Sequence, residues 1–334
     1  MKKKSPLIEC VPNFSEGRDL KIIDAIVATI KSVRGVKVLH VDIGFDAHRT
    51  VITFVGTPKK VCEAAFLAIR TASDLIDMRL HKGIHPRIGA TDVCPLVPIR
   101  DISLEETAIY ARQLARRVGK ELHIPVYCYE AAATAEYRKN LADIRKLQYE
   151  GLAQMLTDPK WQPDFYPRYN AQSGAIVIGA RPFLIAFNIN LNTTDVGVAK
   201  KLAALVREKP SKENPAGGFK AVKAIGWFVE EFNCTQVSIN FVDATKTSVI
   251  TVYNFLKEAA RSLGFEVTGS ELIGLIPELQ LLIAANQNPS IQGLNKIEQL
   301  NLGAEFLGLN AFELFDVNKR VIELQIKAAS INRS

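Results

Sequence analysis

The chain lacks any C-x-x-C pair: its five cysteines, Cys10, Cys62, Cys94, Cys128 and Cys234, are scattered among apolar neighbours. An odd, dispersed set argues against a disulfide framework or a zinc ribbon and suits buried thiols in a reducing compartment. No stretch supplies the roughly 20 unbroken apolar residues of a membrane helix. The start, Met1-Lys2-Lys3-Lys4-Ser5-Pro6, is basic, but it passes into Leu7-Ile8-Glu9-Cys10 without the apolar run or cleavage site of a signal peptide. A cytoplasmic protein with no membrane partner is therefore expected. Gly56-Thr57-Pro58-Lys59-Lys60 lacks the residue order of a P-loop and places proline where a backbone donor is needed, which argues against an NTP site. His81 and His85 are four apart, yet Gly83 and Pro86 spoil a helix there and the glutamate of H-E-x-x-H is missing, so no metal is expected.

What is present is a chain of 334 residues, 48% hydrophobic and 23% charged, in the range of globular proteins and longer than one core usually fills. Two domains follow. The net charge of +7 serves either solubility or attraction of anionic ligands, nucleic acid among them, and does not choose between these.

Patterning gives the same element order twice. Leu7 to Pro12 reads as a strand and Leu20 to Ile30 as a helix. Val36 to Val41 and Thr50 to Val55 read as two strands, Thr57-Pro58 opens a helix to about Ile76, and Ala90 to Val97 is a strand. A helix with capping-box spacing from Ser103 and a strand at Pro125 to Cys128 extend this half. Trp161 to Asn170 has no period and reads as a linker that could also carry function. A second set follows: strand Phe183 to Ile189, helix Thr194 to Arg207, strands Val222 to Phe228 and Thr235 to Phe241, a helix capped by Asp243, and strand Phe265 to Thr268. The expectation is an α/β (α+β) protein of two ferredoxin-like βαββαβ subdomains, with the remaining helices packed on the second.

The densest reactive cluster is His81-Lys82-Gly83-Ile84-His85-Pro86-Arg87, between a helix and a strand. Proline biases the residue before it toward extended backbone, which can fix the direction of the His85 ring for acid/base work; a solvated loop histidine is the alternative. Asp42, at the end of a strand, could orient an imidazole, cap a turn or pair with Arg49. His40 reads as a strand-face residue, and His48 in the following turn is ambiguous.

The segments Glu9 to Gly17 (ECVPNFSEG), His81 to Pro95 (HKGIHPRIGATDVCP) and Gly179 to Leu191 (GARPFLIAFNINL), with Arg49-Thr50-Val51, Ala224-Ile225-Gly226-Trp227 and Gly269 to Pro277, together resemble the glutamate formiminotransferase family over nearly the whole chain. The resemblance implies two α/β subdomains, here 1–178 and 179–334, and a homodimer. It also implies a histidine acid/base at the position of His85, with Asp42 as its partner aspartate. Ile84 and His48 stand where the animal sequences carry an acidic residue and an asparagine. The family's folate loop falls on Tyr166, Pro167, Arg168, Tyr169, Asn170, Ala171, Gln172, Ser173 and Gly174, where Pro167 and Gly174 match closely and Tyr166 and Tyr169 could stack on folate rings; an ordinary linker is the other reading. Arg49, Arg87 and Arg181 are candidates for substrate carboxylates or else for structural salt bridges. In the animal enzymes a cyclodeaminase domain follows, so a stand-alone transferase is expected.

The implied reaction moves the formimino group of N-formimino-L-glutamate to N5 of tetrahydrofolate, a co-substrate, with no metal. Transfer of formyl is the neighbouring alternative. An RNA-binding module is the alternative from another class, thinly supported because Gly226-Trp227-Phe228 does not complete an RNP1 pattern; no nucleic-acid partner is expected.

Overall fold

The structure is a computed structural model describing residues 5–83, 85–230, 232–287 and 291–331. The basic start Met1 to Lys4 and Ile84 lie outside the described residues. The chain divides into two compact units, Met1–Pro182 and Phe183–Ser334.

The first unit runs β1 (Leu7–Cys10), β2 (Asn13–Phe14), α1 (Leu20–Lys31), β3 (Lys37–Gly44), β4 (Arg49–Gly56), α2 (Pro58–Leu75), β5 (Thr91–Arg100), α3 (Leu104–Leu122), β6 (Val126–Glu130), the single turns α4 (Leu141–Ile144) and α5 (Leu152–Met155), and β7 (Ile176–Ala180). Strands β1 and β2 are one path interrupted at Val11-Pro12, and both lie between β4 and β5. Proline has no N–H to give a ladder, so the break falls where the chain must spend a residue without a donor. The antiparallel core of the sheet, β3-β4-β1/β2-β5, has the ferredoxin-like order, and β7 then β6 add to β5 in parallel.

Side-chain alternation sorts this sheet into two apolar faces. Ile8, Cys10, Phe54, Cys94, Leu96, Cys128, Ile176 and Ile178 face α1, α2 and α3. Val93, Tyr127, Tyr129 and Val177 face the other way, onto Ile144, Leu152 and Met155. The segment 141–156 thus roofs one side of the β5-β7-β6 edge, and a buried Leu or Ile there contributes about 1.5–3 kcal/mol. All five cysteines are free, and Cys10 and Cys94 meet sulfur to sulfur at 3.6 Å.

The second unit runs β8 (Ile185–Leu191), α6 (Val196–Val206), β9 (Val222–Val229), β10 (Cys234–Phe241), α7 (Val249–Ser262), β11 (Val267–Ile273), α8 (Glu278–Ala285), α9 (Lys296–Phe306), α10 (Val317–Arg320) and α11 (Ile322–Ile331). Its four strands are antiparallel in the order β11-β8-β10-β9, the ferredoxin-like arrangement. Ile185, Phe187, Ile189, Val237 and Ile239 alternate onto a core completed by the helices. Trp227, on β9, donates its ring N–H to Gln236 Oε1 at 3.0 Å.

Three expectations are corrected. Trp161 to Asn170 does not connect the units: Tyr127 donates its hydroxyl to the Trp161 carbonyl at 2.6 Å, Phe165 bridges Val126, and the chain then returns to the first sheet as β7. That strand was missed because its apolar run, Ile176-Val177-Ile178, is buried on both faces and shows no alternation. Asp243 does not cap α7; its carboxylate accepts from Thr245, and Ser248 is the N-cap. The last strand begins at Val267, later than expected, and continues to Ile273. The capping box at Ser103 and Glu106 is present in both directions, at 3.1 and 2.8 Å.

Candidate functional site

The segment His81 to Ala90 joins α2 to β5, and polar side chains fix its path. A Cβ on Gly83 would fall 2.6 Å from the Ala47 carbonyl and 2.8 Å from His48 Cβ, so only glycine lets the loop lie flush on the β3–β4 turn. His81 Nε2 lies 2.9 Å from the His48 carbonyl, and His81 Nδ1 lies 3.1 Å from Arg87 Nε. A carbonyl only accepts and a guanidinium only donates, so the proton of His81 sits on Nε2. Arg87 also grips Glu150 through both terminal nitrogens, at 2.7 and 2.5 Å. Arg87 is therefore spoken for by groups of its own chain.

His85 is half-buried on the same loop, and its Nδ1 lies 2.7 Å from the carbonyl of Pro86. By the same reasoning Nδ1 carries the proton and the neutral ring keeps its lone pair on Nε2. Burial, followed by the guanidiniums of Arg49 and Arg145, holds this imidazole well below 6.5, with Asp92 and the Pro86 carbonyl pulling the other way. Burial also lowers His48 and His81. The base form of His85 is thus the resting form at neutral pH.

Asp92 anchors the cluster. It is fully buried at the start of β5, accepts Arg49 Nη1 at 2.6 Å and Arg145 Nη2 at 2.7 Å on Oδ2, and accepts the Ile88 N–H at 3.0 Å on Oδ1. Burial alone would raise this carboxyl, but Arg145 and Arg49 outweigh it and hold it below its usual range. Arg49 also donates to Asn13 Oδ1 at 3.0 Å. Asp42, on β3, lies 3.3 Å from His40 Nε2. Arg181 follows β7 and donates its backbone N–H to Leu96 and a side-chain N–H to the Pro182 carbonyl at 3.0 Å. Its charge opposes the effect of burial on Glu9, whose carboxyl is nevertheless pushed up to about 7. Leu96 stands four residues along β5 from Asp92, about 13 Å at strand rise, so the backbone of Arg181 is set off from Asp92 along the strand.

The stretch Tyr166 to Gly174 is pinned at several points. Tyr166 adopts φ +55° and its ring meets His123 edge-on at 5.1 Å. Pro167, Arg168 and Tyr169 are exposed. Asn170 accepts the Ser173 N–H at 2.9 Å, Tyr149 donates its hydroxyl to Ala171 at 2.5 Å, Gln172 donates to the Ser73 carbonyl at 3.0 Å, and Ser173 meets Ser73 hydroxyl to hydroxyl at 2.7 Å. Gly174 then bridges Gly89, with Ala90 N–H donating to Ser173 at 2.8 Å and Ala175 N–H to Ile88 at 3.1 Å. The end of this stretch and the end of the His85 loop are therefore locked together, backbone to backbone.

The first unit matches the formiminotransferase domain, N-terminal subdomain, over residues 7–181, and the second the formiminotransferase domain over 186–327. The chain belongs to the formiminotransferase family. It is 43% identical over 325 residues to formimidoyltransferase-cyclodeaminase of Dictyostelium discoideum and 44% identical over 323 residues to that of Rattus norvegicus, covering 96% of this chain in each case. The chain spans 60% of the length of these two relatives. It is also 41% identical over 295 residues to glutamate formimidoyltransferase of Streptococcus pyogenes serotype M1, covering 88% of this chain and 97% of that one.

In this formiminotransferase chain, three residues that shape the site were not singled out from sequence: Asp92, Arg145 and Glu150. Asp92 carried a usable signal, a lone carboxylate opening an otherwise apolar strand, because carboxylates buried in strands come with partners. Arg145 and Glu150 gave none; they reach the site only through the fold-back of 141–150 onto the sheet, where Tyr149 N–H donates to the Arg87 carbonyl at 2.9 Å.

Proposed function

We propose that this chain is a glutamate formimidoyltransferase, moving the formimino group of N-formimino-L-glutamate to N5 of tetrahydrofolate and releasing L-glutamate. The observation that carries the reading is the backbone lock between Gly89 and Gly174, which ties the loop bearing His85 to the stretch at the family's folate-binding position. The 41% identity to a protein of that name along 97% of its length agrees with it.

The chemistry follows from the resting state of His85. N5 of tetrahydrofolate attacks the amidine carbon, giving a tetrahedral intermediate whose carbon carries three nitrogens: N5, the glutamate nitrogen and the former imino nitrogen. The Nε2 lone pair of His85 takes the proton from N5 and delivers it to the glutamate nitrogen. The C–N bond to glutamate then breaks, leaving N5–CH=NH and a free amine. A ring with a depressed proton affinity is a weak base but a strong acid once protonated, which suits the second transfer. Asp42 is our candidate for stabilising the imidazolium; its support is positional, on β3 just before the turn bearing His48. Tyr166 through Gly174 take the folate, with Tyr169 exposed for stacking. Arg49 is the carboxylate-binding candidate whose charge acts most on His85, while Arg87 serves the loop and the backbone of Arg181 stands further along β5. We place the enzyme in the cytoplasm as a homodimer, as the family implies; light scattering tests the second point. Among the described residues, no helix is long and apolar enough to cross a membrane.

The test is incubation of purified protein with tetrahydrofolate and N-formimino-L-glutamate, with acid quenching to cyclise the product to the absorbing methenyl form. Appearance of that absorbance is expected. Its absence, with N-formyl-L-glutamate accepted instead, would move the assignment to formyl transfer.

A further inference from the structure

The buried group around Asp92 is unbalanced in charge. One carboxylate is shared by two guanidiniums, Arg49 at 2.6 Å and Arg145 at 2.7 Å, and its second oxygen is taken by the Ile88 N–H. Asp92 carries one negative charge against two positive ones, so one positive charge remains. Arg87 does not change this sum, because Glu150 neutralises it. The Nε–H of Arg145 is itself buried and meets no hydrogen-bond partner among the described residues. Burying a guanidinium with a spare donor and a surplus charge is costly, and the cost is recovered when an anion arrives.

Arg145 is also fixed in place. It ends α4, its backbone N–H donating to Leu141 at 3.0 Å, and its neighbour Ile144 is fully buried in the core beside Leu152. Four residues on, Tyr149 is tied to the Arg87 carbonyl, so the segment bearing Arg145 is laced to the loop His85-Pro86-Arg87. A rigid guanidinium beside the reacting imidazole suits a carboxylate close to the reacting carbon.

We propose that Arg145, together with Arg49, is the receptor for the α-carboxylate of the formimino donor. This rests on the transferase reading above. The α-carboxylate is singled out because it sits on the carbon that carries the reacting nitrogen, whereas the γ-carboxylate is two methylenes further off. The same pairing gives the site a way to favour its donor: the surplus charge adds to burial in keeping His85 neutral, and the carboxylate cancels that added share as the imidazolium has to form.

The experiment uses the full chain and two independent readouts. Calorimetric titration with L-glutamate alone compares wild type with Arg145→Met and Arg145→Lys. Kinetics compare N-formimino-L-glutamate with 4-formiminoaminobutyrate, which lacks only the α-carboxylate, and circular dichroism checks that each variant is folded. Arg145→Met is expected to weaken L-glutamate binding and kcat/KM for the full donor about 10- to 100-fold, the value of a charge-assisted contact. It is also expected to erase the preference for the full donor, with Arg145→Lys in between. Unchanged L-glutamate affinity in Arg145→Met, no L-glutamate binding by wild type, or an equal fall for both donors would overturn the assignment and leave Arg145 a structural partner of Asp92. A wild type that binds L-glutamate through Arg145 but transfers nothing would instead defeat the transferase reading alone.

Discussion

Gly89 and Gly174 face one another across an antiparallel bridge so tight that a Cβ on Gly89 would stand 2.1 Å from the Ala175 carbonyl oxygen. Gly174 has φ +67°, and a Cβ there would stand 2.4 Å from the Ile88 carbonyl oxygen. Neither position has room for a side chain, and backbone oxygens cannot swing aside. Gly89→Ala is therefore expected to prise the two segments apart, raising KM for tetrahydrofolate at least about tenfold with a loss of roughly 1–3 kcal/mol in stability. Folate titration and urea denaturation of the variant check both; an unaltered KM would show that the lock does not position the folate.

His85→Gln keeps a polar side chain of similar reach but cannot shuttle a proton. Turnover is expected to drop about 100- to 10,000-fold with the urea midpoint little changed. In wild type, kcat/KM is expected to rise with pH through an acid limb centred below 6.5, because burial, and after it the charges of Arg49 and Arg145, favour the neutral ring. A limb centred at or above 6.5 would count against this electrostatic picture.

Asp92→Asn conserves shape and removes the carboxylate that Arg49 and Arg145 share. Two guanidiniums, Arg49 buried and Arg145 partly buried, then lose their shared counter-charge, and the expected loss is about 3–5 kcal/mol by urea denaturation at pH 7. The folded carboxyl is held below 3.8, so wild type keeps its advantage above that value. The gap should close as pH falls through the folded value; a gap constant down to strongly acidic pH would mean that charge is not the cause.

Glu9 runs the opposite way. The folded protein holds its proton up to about 7, whereas the unfolded chain releases it near 4.5, so folding is penalised increasingly as pH rises between those values. The difference corresponds to roughly 3 kcal/mol at 1.36 kcal/mol for each tenfold change in proton affinity. Glu9→Gln should be more stable than wild type by up to about that amount at pH 8 and equal to it at pH 4. Chemical denaturation at both values decides; a glutamine variant weaker than wild type at pH 8 would show that ionised Glu9 is a paired, stabilising group.

Much of this was readable in the residues. Helical spacing and β-branched runs bounded by turn residues located the elements of both ferredoxin-like sets. The exception was β7: with α3 packed on one side and the 141–156 segment on the other, it has no polar face to betray its period. His85 and the arginines stood out by residue type. What sequence could not order was their partnership. Arg49 joins Asp92 across 43 residues and Arg145 joins it across 53, and no local pattern records pairings made by the sheet and by a fold-back segment.

The place of β7 also has a bearing on how the chain comes off the ribosome. Between the end of β5 at Arg100 and the start of β7 at Ile176, about two-fifths of the first unit is made, and β6 has no seat in the sheet until β7 fills the gap beside β5. During that interval β5 is an open edge, a template for any stray strand. Vectorial synthesis therefore leaves the unit exposed to misassociation until its last strand emerges, and chaperone demand should peak before residue 176 and fall once it has docked.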